Sequence, residues 1–144
     1  MQKKKRLRRR SECPLNASVE MLGDRWSLLI IRDMMVRSAG TFHDFLESSF
    51  EGIATNILAD RLRRLEANGI IAARPDAKDG RKMNYSLTKK GIDLAPVLAE
   101  MALWAARHEK TGNQQLIRKL KQNKEQFLAH VRRTWSENGI RAEP

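Results

Sequence analysis

A single cysteine, Cys13, excludes any disulfide within the chain. With only His43, His108 and His130 scattered around it, no set of ligands has zinc spacing, so no metal and no cofactor is expected. No apolar run approaches the ~20 residues that a membrane-spanning helix needs. No charged start followed by an apolar stretch marks the N-terminus, so a secretory leader is not expected and Asn16-Ala17-Ser18 reads as a chance sequon. The expected compartment is the cytoplasm, with no membrane partner. A glycine-rich phosphate loop is missing, and Ser27 lacks the surroundings of a nucleophile. Asp76 and Asp79 sit in a turn without a base nearby in sequence, so the chain is expected not to be an enzyme.

Acidic residues are also in deficit. Lys and Arg number 28 against 17 Asp and Glu, a net charge of +11. The excess is uneven. Residues 1–12 carry net +6, residues 13–110 only +1, and residues 111–144 carry +4. Inside the middle section, residues 13–53 are net −3 and residues 54–90 net +5. A nearly neutral domain with one basic stretch suggests a polyanion-binding face, against the plainer reading of a solvated Lys/Arg surface. The run Met-Gln-Lys-Lys-Lys-Arg-Leu-Arg-Arg-Arg repels itself, and it suits an arm lying along phosphates. The expected division is therefore a basic arm over 1–12, a domain over 13–110 and a helical extension over 111–144.

Periodicity places the elements. Pro14 favours a first helical position, which makes Cys13 the cap of a helix ending about Leu22. Gly23-Asp24 breaks it, and Asp24 caps a second helix to about Val36. Thr41 is expected in a very short strand, followed by a third helix over about His43 to Ser49. A fourth helix, about Thr55 to Asn68, carries Leu58, Leu62 and Leu65 on one side, and Gly69 ends it. Ile70 to Arg74 and Met83 to Leu87 read as strands joined across Asp79-Gly80. Thr88 caps a long fifth helix to about Arg107, and a sixth runs from about Gln114 to Asn138.

Helix, helix, short helix, turn, helix and hairpin is the order of a winged helix-turn-helix. The expected fold is mainly α with a small β-hairpin wing (α+β), plus C-terminal dimerisation helices. A helix fits the major groove, and a basic hairpin beside it grips the adjacent backbone. Thr55, Asn56, Ala59, Asp60 and Arg63 fall away from the leucines, with Arg64 beside them. Lys78, Arg81 and Lys82 make the wing tip basic. These nine residues are the candidate DNA contacts. His43 is a weaker phosphate candidate, with solvent exposure the plainer reading.

Several segments add to this pattern. They are Cys13-Pro14-Leu15, Leu22-Gly23-Asp24-Arg25-Trp26-Ser27 running on to Arg32, and Phe42-His43-Asp44-Phe45. Gly52-Ile53 follows, then Leu58 to Glu66, Asn68-Gly69-Ile70-Ile71, Tyr85 to Gly91 and Leu94 to Leu98. In this order they resemble the HxlR family of bacterial winged-helix regulators, relatives of the MarR group, over about residues 13–107. The resemblance implies a homodimeric transcription regulator bound to a palindromic operator in double-stranded DNA. It also implies a signal, a small electrophile, oxidant or other ligand, sensed through an N-terminal cysteine. Cys13-Pro14 stands where that cysteine is expected. Ala54 replaces the Ser usual in the family, so Thr55 is expected to cap the recognition helix.

Cys13 has a physical case as well. A helix amino end and Arg8, Arg9 and Arg10 nearby favour thiolate, while an inert thiol at a helix cap is the plainer reading. Leu15, Val19, Leu98, Met101, Trp104, Leu120 and Trp135 are the expected dimer contacts, because they offer more apolar surface than a small domain covers alone. Two other classes stay open. One is a non-specific nucleic-acid or nucleoid-binding protein driven by the basic arm. The other is a protein-interaction adaptor on the same scaffold.

Overall fold

The computed structural model describes residues 8–139, so most of the basic arm and the last five residues lie outside it. Helix α1 spans Pro14–Leu22 with Cys13 as its N-cap. Helix α2 covers Ser27–Val36, α3 Phe42–Ser48 and α4 Thr55–Ala67. Strands β1 (Ile71–Pro75) and β2 (Met83–Leu87) pair antiparallel, with Ile71 opposite Leu87 and Pro75 opposite Met83. Helices α5 (Lys89–Ile92), α6 (Ala95–His108) and α7 (Gln114–Gly139) follow.

One core joins these elements. Ile30, Ile31 and Met34 of α2 meet Phe45 of α3, the α4 leucines 58, 62 and 65, and Ile71 and Leu87 of the hairpin. The leucine spacing of four and three puts all three on one stripe of α4, and each is almost fully buried. That stripe fixes which side of α4 faces away from the protein. The helix ends in a Schellman arrangement. Ile70 N donates to Leu65 O and Gly69 N to Glu66 O, with Gly69 at φ +71°.

Several expectations give way to local chemistry. Thr41 forms no strand. Its hydroxyl accepts from Asp44 N while Asp44 accepts from the Gly40 and Thr41 amides, a capping box that starts α3. Strand-like pairing at this point falls to Gly40, whose carbonyl takes Tyr85 N at 2.7 Å. Thr55 does not cap α4. Ala54 holds the cap position with no side-chain acceptor, and Thr55 is the first helical residue. The long fifth helix divides into α5 and α6. Pro96 lacks the N–H that would reach the Ile92 carbonyl and so cannot continue α5, but it suits the first turn of a new helix. The last helix is interrupted at Asn123 (φ −157°, ψ 83°), whose side chain accepts from Gln126 N and starts a second segment.

The C-terminal extension is part of the core. Leu120, Leu128 and Val131 of α7 belong to the same buried cluster as the α2 and α4 side chains. Lys124 bonds Glu100 of α6, Arg132 reaches Asp93 at 3.0 Å, and the Trp135 indole donates to Leu87 O at 2.9 Å. Leu120, only 3% exposed, and the partly buried Trp135 thus pack within their own chain. The helical extension expected over 111–144 thus packs directly on the domain expected over 13–110.

Candidate nucleic-acid interface

On α4 the residues opposite the leucine stripe are exposed or half-buried. Thr55, Asn56, Arg63 and Arg64 are exposed, while Ala59 and Asp60 are half-buried. Asp60 pairs with Arg61 and lies 3.8 Å from Arg63. The outward face thus offers an amide, a hydroxyl and a guanidinium around one neutralised carboxylate. Those are the groups that pair with base edges in a major groove. No side chain caps the first turn, so the amino end of α4 is also open to an anion.

The anchoring of this helix runs through Arg61, which sequence reasoning did not single out. Its Nε donates to Asp24 Oδ1 at 2.9 Å, and both side chains are less than one fifth exposed. Asp24 in turn accepts from Trp26 N at 2.8 Å, Ser27 N at 3.0 Å and the Ser27 hydroxyl. Partial burial pushes the Asp24 carboxyl up. The Ser27 hydroxyl, the two amides and Arg61 outweigh that and hold it below the usual carboxylate range. The N-cap position of α2 falls to Trp26 rather than to the expected Asp24, which instead accepts the amides of Trp26 and Ser27 from the preceding turn and also fixes α4 relative to α2. The spacing of 37 residues leaves no local signal of that link.

A second network holds the turn before α4. Asp33, buried in α2, receives Arg32 and Arg37. Arg32 also reaches Glu51, and Arg37 donates to Ser48 O and stacks 3.8 Å from the Phe50 ring centroid. Ile53 N then bonds the Ser49 hydroxyl at 3.0 Å, just ahead of the recognition helix.

The wing is organised by Asp76. Its Oδ1 accepts from Lys78 N and Asp79 N, and its Oδ2 accepts from the Asn84 side chain. These bonds, with the Lys78 amide foremost, hold the carboxyl below its ordinary range. Asp76 N donates to Lys82 O at 2.8 Å, closing the loop. Lys78, Arg81 and Lys82 project from a tip shaped by an acidic residue, and Arg81 also pairs with Asp79 at 3.1 Å. At the wing root, the Thr88 hydroxyl donates to Gly69 O and Ile70 O and accepts from Gly91 N. The hairpin is thereby tied to the end of α4. His43 is exposed and pairs with Glu47.

Cys13 is exposed at the start of α1, its amide 3.4 Å from the Ser11 hydroxyl. Not one residue of α1 is buried, although Leu15 (71% exposed) and Val19 (55%) are apolar. On α6, Met101 (50%) and Trp104 (58%) are equally open, and Leu98 is half-buried. Among the described residues no cluster of three or more His, Cys, Asp or Glu is placed to hold a metal ion. No described helix is long and apolar enough to cross a membrane.

This scaffold, with its polar recognition face and basic hairpin, has known counterparts. The family model described as HxlR-like helix-turn-helix matches residues 21–115. The chain belongs to the HxlR-like helix-turn-helix family. The HTH-type transcriptional regulator sll1512 of Synechocystis is 35% identical over 91 residues, 62% of this chain and 64% of that protein. The match thus spans slightly under two thirds of that relative's length. The HTH-type transcriptional regulator YodB of Bacillus subtilis is 35% identical over 94 residues, 65% of this chain and 82% of that one. The solved reduced form of YodB matches with a TM-score of 0.57 and 34% identity, over 72% of this chain and all of that one. A quinone-bound form of YodB gives 0.53 and 34% over 66% and 98%. The redox regulator HypR in its oxidized form gives 0.56 and 26% over 69% and 100%. The HxlR-like match ends at residue 115, so nearly all of α7 extends beyond the shared domain.

Proposed function

We propose that this chain is a homodimeric, sequence-specific regulator of transcription that binds a palindromic operator. The observation that carries the reading is the pairing of α4 with the wing. An HxlR-like domain holds an outward face of Thr55, Asn56, Ala59, Asp60 and Arg63 by a partly buried ion pair, beside a basic hairpin rooted at the end of the same helix. Asn56 and Arg63 read bases, and Arg64, Lys78, Arg81 and Lys82 hold phosphates. One winged helix reads one half-site, so a palindrome needs two copies. The exposed apolar residues Leu15, Val19, Met101 and Trp104, with the half-buried Leu98, supply a surface for the second copy.

Cys13 is the proposed sensor of electrophiles or oxidants. Its exposure supports this, as does the chain's similarity to YodB, which has been solved quinone-bound. The thiolate adds to an electron-poor quinone carbon, and the ring returns as a hydroquinone thioether. A group of that size at the amino end of α1 alters how two copies meet, and both half-sites lose register together.

Binding to DNA from upstream of the chain's own gene, compared with random duplex, tests the reading. Asn56→Ala is expected to cost ~1–3 kcal/mol on the operator and little on random DNA. Arg81→Ala is expected to weaken both and lower the salt slope by about one unit. A specificity ratio near one for the wild type would instead place the chain among non-specific nucleic-acid binders. Quinone treatment is expected to release wild type from the operator and leave Cys13→Ser bound. Wild type that stays bound with its thiol modified would remove the sensing role alone.

A further inference from the structure

Between the C-terminal end of α2, strand β2 and the second segment of α7 lies a cleft of about 290 Å³. This volume is at the lower edge of the ~300–1,000 Å³ usual for small-molecule sites. Its apolar wall is built from Met34, Met35, Leu87, Ile92, Val131 and Trp135. Ser38, Tyr85, Ser86 and Thr134 supply neutral hydroxyl groups, and among the described residues no Asp, Glu, Lys, Arg or His lines the cleft. In a chain of net charge +11, with 31% charged residues, that exclusion sets the chemistry of the cleft among the described residues. A charged ligand would leave water there without a counter-ion. The thioethers of Met34 and Met35 adapt to ring faces, and the Trp135 indole offers one. Ser38 sits at the rim with φ +53°, a backbone conformation uncommon outside glycine, and such conformations gather at ligand sites.

We infer that this cleft binds a neutral, mainly aromatic small molecule carrying one or two hydrogen-bonding groups. The site exists because α7 folds back on the domain. Val131, Thr134 and Trp135 all lie beyond residue 115, where the shared family domain ends. It also adjoins the root of the wing. The Trp135 indole donates to the carbonyl of Leu87, the last residue of β2, and Thr88 beside it ties the wing root to the end of α4. A molecule lodged against Trp135 and Leu87 presses on the base of the wing, so occupancy alters DNA affinity. That effector role rests on the reading of the chain as a DNA-binding regulator; the binding itself does not.

The test uses the full chain and two dyes with one skeleton. N-phenyl-1-naphthylamine is neutral, and 1-anilinonaphthalene-8-sulfonate adds a negative charge. The neutral dye is expected to bind saturably at one per chain, and the sulfonate at least tenfold more weakly. Ser86→Leu and Thr134→Leu fill the cleft from opposite walls. Each is expected to weaken the neutral dye at least tenfold while the thermal melt stays where it was. Equal binding of the two dyes would overturn the proposal, as would wild-type affinity in both filled variants, which would place the dye on the exposed α1 and α6 surface. Binding that appears only after residues 140–144 are removed would assign the cleft to the chain's own end and overturn it too. Saturating dye is then expected to change duplex-DNA affinity at least fivefold in wild type but not in Ser86→Leu. Binding without that change refutes the effector role and leaves the site.

Discussion

Replacing Asp24 by alanine tests how the recognition helix is held. The substitution removes the acceptor for the Trp26 and Ser27 amides at the start of α2, worth about 1 kcal/mol. It removes a charged hydrogen bond to Arg61, worth about 1.5–3 kcal/mol. It also strands the Ser27 hydroxyl, in a residue only 2% exposed, at a cost of about 1–3 kcal/mol. These contributions share one carboxylate and do not simply add, so the expected loss is about 3–5 kcal/mol. For a chain of this size that lowers the melting temperature by roughly 8–15 °C. The pH dependence has a definite sign. The folded carboxyl lies below its unfolded value of about 3.9, so its contribution is present above that pH and is lost as pH falls through the lower, folded value. Thermal melts of wild type and Asp24→Ala between pH 3 and pH 7 are therefore expected to converge toward the acid end. Arg61→Ala is expected to lose part of the same energy, with a coupling to Asp24 of about 1–2 kcal/mol in a double-mutant cycle. A melting change below 2 °C, or curves that stay parallel in acid, would refute the argument.

Gly91→Ala is expected to destabilise by about 2–3 kcal/mol in denaturant melts, because its Cβ would stand 2.2 Å from the Ile70 carbonyl oxygen, a backbone atom already held by Thr88. An unperturbed Gly91→Ala melt would mean that the wing root is looser than its hydrogen bonds imply. Truncation after residue 112 removes the buried Ile117, Leu120, Leu128 and Val131, at about 1.5–3 kcal/mol each, which rivals a typical total stability of about 5–15 kcal/mol. The truncated chain is expected to lose its cooperative melt by circular dichroism, and a folded, soluble product would show α7 to be dispensable. Leu15→Glu combined with Trp104→Glu is expected to give a monomer by light scattering without a change in helix content. A dimer that persists in this variant would place the subunit contact elsewhere.

The local elements followed from local chemistry. The leucine spacing of α4, Gly69 after it, the alternation in β2 and the cap at Thr88 each depend on residues within a turn or two. Backbone periodicity and hydrogen bonding act over that distance. The outward face of α4 was readable for the same reason, since three buried leucines fix the opposite side. Pro96 and Asn123 were readable in principle, but the apolar periodicity continuing past them masked both breaks. Tertiary structure alone decided the rest. Arg61 meets Asp24 across 37 residues, and Trp135 meets Leu87 across 48; no spacing rule encodes either pair. An apolar stripe records that a helix must be covered, but not by what. Leu120 and Leu15 look alike in sequence, yet Leu120 is sealed within its own core while Leu15 stays open. Only the path of α7 back over the domain separates them, and that path is set by the collective packing of the whole chain.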